Sequence, residues 1–321
     1  MLSILTRWMR QCRIVACAAV ISAGTATLHA EDVLSAELLL SQMLENFKDV
    51  VRVDSRLETV GTYGFAANNV PEIFMEWRES SSGEFHATRR MLRSGSSVLG
   101  GDRTAAFGGD GFFDLRADGI MHVAKQLPAD CDLMSTEDFL ARPFLFLVKY
   151  EKAKTTGYPS LAYLSALGTM NAQQRSLKLL GRTEIDGISC VSGSISGIDV
   201  WNGEPVVYRF HCSTDLGFFP IGWDKYDTAG HLLCSYRVRE VGSLEKTAHV
   251  PFRYPKKAEI SYFKGDGQTK TFAYESVVKD IKLYRVHDYA VGSHEGDFTI
   301  DPASARTIWD RDAGVEIPVP R

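Results

Sequence analysis

The chain reads as an α+β protein: an antiparallel sheet of successive hairpins, entered by one N-terminal helix and covered on one face by a helical insert. Three observations predict it. Apolar residues recur at helical spacing between Leu34 and Phe47, and beyond Phe47 they alternate at period two through most of the chain. Asx-Gly dipeptides punctuate the alternation at Asp110-Gly111, Asp118-Gly119, Asp186-Gly187, Asn202-Gly203 and Asp266-Gly267. Such pairs accept positive φ cheaply and favour the tight primed turns of hairpins.

The first thirty residues stand outside that fold. Arg7, Arg10 and Arg13 form a basic n-region, Ile14 to Ala26 an apolar stretch, and Leu28-His29-Ala30 a small-residue end before Glu31-Asp32. This predicts a secretory signal peptide cleaved after about Ala30 and an exported protein, periplasmic or extracellular. An uncleaved anchor is the alternative, although the stretch falls short of the ~20 apolar residues of a membrane span. Removing residues 1–30 takes away three arginines and no acid, which moves the formal charge from −4 to −7. That balance makes the chain a poor candidate for binding nucleic acid or anionic lipid headgroups, both of which need a basic footprint.

In the remaining chain, Ala36, Leu40, Met43, Leu44 and Phe47 share a helical face opposite Glu37, Ser41, Gln42, Glu45 and Lys48. The period then changes. Val51, Val53, Ser55, Leu57 and Thr59 alternate with Arg52, Asp54, Arg56 and Glu58, a strand with one dry and one wet face. Further strands are predicted at 73–78, 85–92, 112–115 and 120–125, and again at 177–185, 188–195, 206–212, 220–226, 232–241, 258–263 and 269–284. Two-faced strands need a cover, and helices are the available one. The stretch from about 134 to 168 supplies it, with a capping start at Ser135-Thr136-Glu137-Asp138, an interruption at Pro143 and an apolar run from Leu161 to Leu167. No linker composition divides residues 31–321, so one domain is expected, with two lobes of one sheet as the alternative.

Signatures of chemistry are scarce. Gly193-Ser194-Ile195-Ser196-Gly197 imitates a nucleophile elbow, but its central position is Ile195 and the alternation is that of a strand. Gly108-Gly109-Asp110-Gly111 begins like a calcium-binding repeat, yet Phe113 stands where that repeat needs Asp. His287, Asp288, His294, Glu295 and Asp297 read as a hydrophilic loop, and Asp310 and Asp312 as a solvated turn. Trp77, Trp201, Trp223 and Trp309 could stack on a ligand, but in a sheet they more often fill core positions. No catalytic residue, metal site or cofactor is predicted. Four cysteines lie beyond the leader, at 131, 190, 212 and 234, none in C-x-x-C spacing. A Cys190–Cys212 disulfide across neighbouring strands and buried free thiols are equal alternatives.

The order of segments carries a family resemblance. The helix at 34–47, the long strand after it, "EIFMEWRE", "AFGGDGFFDLRADGIMHV", "LLGRTEIDGISCVSG", "VVYRFHCSTDLGFFPIGWDKYDTAGHLL" and "DFTIDPASARTIWDRDAG" together resemble LolA, the periplasmic carrier of outer-membrane lipoproteins, and its larger exported relatives. The resemblance implies an open, strongly curved antiparallel sheet, a half barrel, whose concave apolar face is closed by helices and receives acyl chains. The expected function is a non-enzymatic carrier or binding protein for a lipid, acyl chain or lipoprotein of the cell envelope. The alternative is an envelope structural or sensory module that binds a protein partner. Val53, Leu57, Met75 and Trp77, which alternation places on the apolar face, are the candidate ligand-lining residues.

Overall fold

The computed structural model describes residues 34–64, 72–82, 84–93, 101–128, 140, 142–147, 161, 176–199, 203–244, 251–285 and 298–320. The chain falls into two compact units, residues 1–39 and 40–321, and the sheet belongs to the second. Helix α1 spans Ala36–Leu44 and tightens into a 3₁₀ turn at Glu45–Phe47. Ser35 Oγ accepts the Leu38 N–H at 3.0 Å near its start. The chain leaves the turn through Asp49, at a left-handed φ of 60°. Leu40, Met43 and Phe47 are buried, as their spacing predicts.

Among the described residues fifteen strands follow: β1 Val50–Tyr63, β2 Glu72–Ser80, β3 Phe85–Arg93, β4 Arg103–Gly108, β5 Gly111–Arg116, β6 Ile120–Ala124, β7 Lys178–Ile185, β8 Ile188–Ile198, β9 Pro205–Ser213, β10 Phe219–Tyr226, β11 Leu232–Leu244, β12 Phe252–Phe263, β13 Lys270–Arg285, β14 Thr307–Asp310 and β15 Val315–Ile317. They form one sheet in the order β15-β14-β6-β5-β4-β3-β2-β1-β13-β12-β11-β10-β9-β8-β7. The sheet is open, because among the described residues β15 and β7 each have a single neighbour. Every pairing is antiparallel except β6 with β14, and a parallel pair needs a long crossover, here the whole of β7 to β13. Among the described residues no helix is long and apolar enough to cross a membrane.

The five glycines of the Asx-Gly pairs all adopt positive φ, from 68° at Gly267 to 107° at Gly111. Asp186 joins Gly187 with a φ of 51°, the two consecutive left-handed residues of a primed turn, and the strands on either side pair Ile185 with Ile188. Gly108-Gly109-Asp110-Gly111 is likewise a hairpin turn, with Gly108 opposite Gly111.

The register assigns every side chain to a face. The inner face carries Val53 and Leu57 of β1, Met75 and Trp77 of β2, Trp223 of β10 and Phe210 of β9. The outer face is not bare. At β4 to β6 the C-terminal segment covers it, as Ile300, Ala305 and Ile308 pack on Ala106 and Met121. The helical cover was expected over the opposite, apolar face; on this side lies the stretch leading into β14, with a 3₁₀ turn at Pro302–Ser304. Within the predicted insert at 134–168 the described residues are 140, 142–147 and 161; Arg142–Leu147 is a 3₁₀ segment with all six residues buried. Cys131, the His287 to Asp297 group and Trp201 lie outside the described residues.

The Cys190–Cys212 disulfide is not formed. Strands β8 and β9 do pair, but the register sets Cys190 opposite Ser213 and Cys212 opposite Val191, so the two thiols leave opposite faces of the sheet. Cys212 instead donates to Met43 Sδ at 3.5 Å, and Cys190 to the Ile188 carbonyl at 3.3 Å.

Candidate functional site

The inner face of β1 and β2 brings the four predicted lining residues together. Leu57 stands opposite Met75, and Trp77 lies two residues along the same face, opposite Ser55. Leu57 is 1% exposed and Met75 0%, and Val53 is buried beside them. Trp77 is partly buried and stacks on Phe85, with ring centroids 5.8 Å apart. Phe85 leads into a cluster with Ala105, Phe112 and Ala124, against which Phe107 and Leu127 also pack.

The apolar face continues through β13 to β9. Trp223 stacks on Tyr236 at 5.6 Å and meets Tyr208 edge-on at the same separation. Onto these aromatics folds the segment Arg142–Leu147. Phe146 stacks on Phe210 at 4.3 Å with the rings 4° from parallel, and Phe144 makes edge contacts with Phe47 and Phe219. Gly193 makes the Phe210 position possible, since a Cβ there would collide with the ring. The glycine of the false nucleophile elbow is thus a flat bed for an aromatic ring.

A few polar contacts hold this cover. The Trp223 indole donates to the Arg142 carbonyl at 2.9 Å, and the Arg142 guanidinium to the Tyr274 hydroxyl at 3.4 Å. The buried Glu79 carboxylate accepts the Leu161 N–H at 2.6 Å and the Trp77 indole at 3.2 Å. Lys225 and Asp199 form a buried pair at 2.8 Å beside Tyr208.

Sequence reasoning missed the polar members of this face. Glu79, Arg89, Arg103, Asp114 and Arg116 all point inward, because each is register-matched to an inward neighbour. Arg103 donates to both oxygens of Asp114, at 2.5 and 2.9 Å, and Arg116 adds a contact at 3.3 Å. One signal was available: a two-residue turn at Gly109-Asp110 fixes Arg103 opposite Arg116.

Two other arrangements fit chemistry less well. Ser192 Oγ lies 2.7 Å from His211 Nδ1. Burial, followed by the nearby Arg237 charge, lowers the His211 pKa and makes it a poorer base. The Asp224 carboxylate that could orient it is held by two Arg237 bonds of 2.8 Å. On the outer face a cleft of about 220 Å³ is lined by charges of both signs, among them Asp54, Arg56, Glu76 and Lys282. Arg56 and Glu76 pair across it at 2.8 Å, leaving a polar wall unsuited to an apolar ligand.

No family model matches the sequence, and sequence comparison finds no curated relative. Solved structures similar to this chain include a DUF1329 family protein from Desulfovibrio piger, at 8% identity and a TM-score of 0.46, covering 82% of this chain and 97% of that one. A LolA superfamily protein from Nitrosomonas europaea is similar at 13% identity and a TM-score of 0.43, over 84% of this chain and 99% of that one. The Mycobacterium tuberculosis lipoprotein LppX is similar at 11% identity and a TM-score of 0.29, over 80% of this chain and 99% of that one.

Proposed function

We propose that the protein is an exported, non-enzymatic binding or carrier protein that shelters the acyl chain of a lipid or lipoprotein against the inner face of its sheet. The observation that carries this reading is the register of β1 and β2, which gathers the buried Val53, Leu57 and Met75 and the partly buried Trp77 on one face. The patch is closed in this structure, so a ligand enters by displacing what lies over it. Its affinity comes from apolar burial, about 0.8 kcal/mol per methylene, less the cost of moving the cover. Glu79 is the polar pin nearest the patch, and it joins Trp77 to Leu161. The leader at residues 1–30 supports export, and the envelope is where such a ligand would be met.

The test is native mass spectrometry and lipid extraction of the protein purified without detergent, then titration with a fluorescent acyl probe. Co-purified lipid and saturable probe binding are expected, with faster uptake by Glu79→Ala, whose cover has lost its pin. Protein free of lipid that binds no acyl probe would refute the reading.

The second reading, a protein-interaction module, draws on the edge of β7, which has one strand neighbour among the described residues and where Leu180 is 59% exposed. Lys178, Arg182 and Glu184 on that edge weaken it, because edge charges discourage strand addition. A stoichiometric protein partner in envelope crosslinking would favour it.

A further inference from the structure

One register row of the inner face changes character as it crosses the sheet. It reads Val278 on β13, Leu57 on β1, Met75 on β2, Arg89 on β3, Arg103 on β4 and Arg116 on β5. Three apolar side chains give way to three guanidinium groups. Exposure changes with chemistry: Met75 is 0% exposed, the Arg103 side chain 15% and the Arg116 side chain 49%. The row therefore runs from a dry apolar end to a basic end that meets water.

Like charges directly opposite on neighbouring strands repel, so this placement costs stability rather than adding it. Asp114 is the one acid in β3 to β6, and it offsets a single arginine. Its two oxygens are engaged mainly by Arg103, while Arg116 reaches it only through Nε at 3.3 Å. Arg89 gives one Nη2 bond to the Gly101 carbonyl at 3.1 Å, and its buried Nε finds no acceptor among the described residues. A buried donor without an acceptor is costly, and what it lacks is an oxygen, best an anionic one. The whole chain carries a formal charge of −4, so this excess of positive charge is local.

We propose that the Arg89–Arg103–Arg116 row binds the anionic head, carboxylate or phosphate, of an amphiphile whose chain lies over Met75 and Leu57. The proposal rests on the apolar-ligand reading above and adds the class of head group to it. Guanidinium forks match the paired oxygens of either anion, which a neutral head cannot offer. Since Arg116 is half exposed, salt weakens the preference.

The test compares a fluorescent fatty acid with its methyl ester on the full-length protein and on Arg89→Gln, Arg116→Gln and the double variant. Arg103 is left in place because it holds Asp114. The acid should bind about tenfold more tightly than the ester. That gap should close in the double variant while ester affinity stays unchanged. Equal binding of acid and ester by the unaltered protein, or a preference that survives in the double variant, overturns the head-group assignment and leaves the apolar site standing. Inorganic phosphate binding to the row with no gain from an attached chain also overturns it, in favour of a free anion. Binding of neither acid nor ester removes the apolar reading together with this one.

Discussion

Arg103 and Asp114 sit diagonally across β4 and β5, joined by two hydrogen bonds of 2.5 and 2.9 Å with the carboxylate 1% exposed. Removing one partner of a buried ion pair leaves an uncompensated charge. Asp114→Asn also lets three opposed arginines repel one another. The expected loss is about 3 kcal/mol, read as a melting temperature lower by roughly 5–10 °C. The double variant Arg103→Met/Asp114→Leu should recover part of it, and strict additivity of the two single losses would contradict the pairing.

Gly193 and Phe146 are coupled through Phe210. A methyl group at position 193 pushes the Phe210 ring out of its place, and with it the stack against the cover. Gly193→Ala should cost about 1–3 kcal/mol by overpacking and should raise the binding of a hydrophobic dye as the cover loosens. Unchanged stability and dye binding would mean that the ring does not bear on the cover.

Stability should fall as the pH drops below 6.5, the ordinary histidine value. His122 and His211 both have lowered pKa values in the folded protein, chiefly through burial, aided by Arg116 beside His122 and Arg237 beside His211. Below pH 6.5 the unfolded chain takes up protons that the folded chain refuses, so the loss grows until the folded values are reached, at up to ~1.4 kcal/mol per pH unit per histidine. Melting temperatures between pH 5 and 7 should show the slope, and His122→Asn/His211→Asn should flatten it.

The three described thiols should be inert in the native state. Burial pushes Cys234 up to about 12 from its ordinary 9.0, and raises Cys190 and Cys212 as well. In a Cys131→Ser background, Ellman's reagent at pH 8 should label none of them until guanidinium unfolds the chain. Above pH 9 the unfolded chain loses thiol protons first, so stability should fall as the pH rises through that range. Rapid native labelling would contradict the burial.

Much of the fold was legible in the sequence because its signals are local. Alternation placed β1, β2 and β8 to β13, and the Asx-Gly pairs marked the turns. The patch of Val53, Leu57, Met75 and Trp77 came from alternation alone, since β1 and β2 meet with their apolar faces aligned. What depended on register over longer distances was not legible. The Cys190–Cys212 expectation paired the right strands and missed by one residue, which reverses the face. The parallel pairing of Thr307–Asp310 with Ile120–Val123 joins neighbours that lie on either side of β7 to β13 in the chain, and no local pattern announces it. Arg89 joins Arg103 across a connection of nine residues, 94–102, too long for its turn dipeptides to fix the register, so the basic row emerges only once β3, β4 and β5 are laid side by side.

The most direct test of the account is where an acyl chain lies when it binds. A fatty acid carrying a diazirine near its methyl end, photolysed on the full-length protein and mapped to single residues by tandem mass spectrometry, should label the inner-face residues Val53, Leu57, Met75 and Trp77. Label confined to the outer-face residues Asp54, Arg56 and Glu76, or no specific label at all, would contradict it.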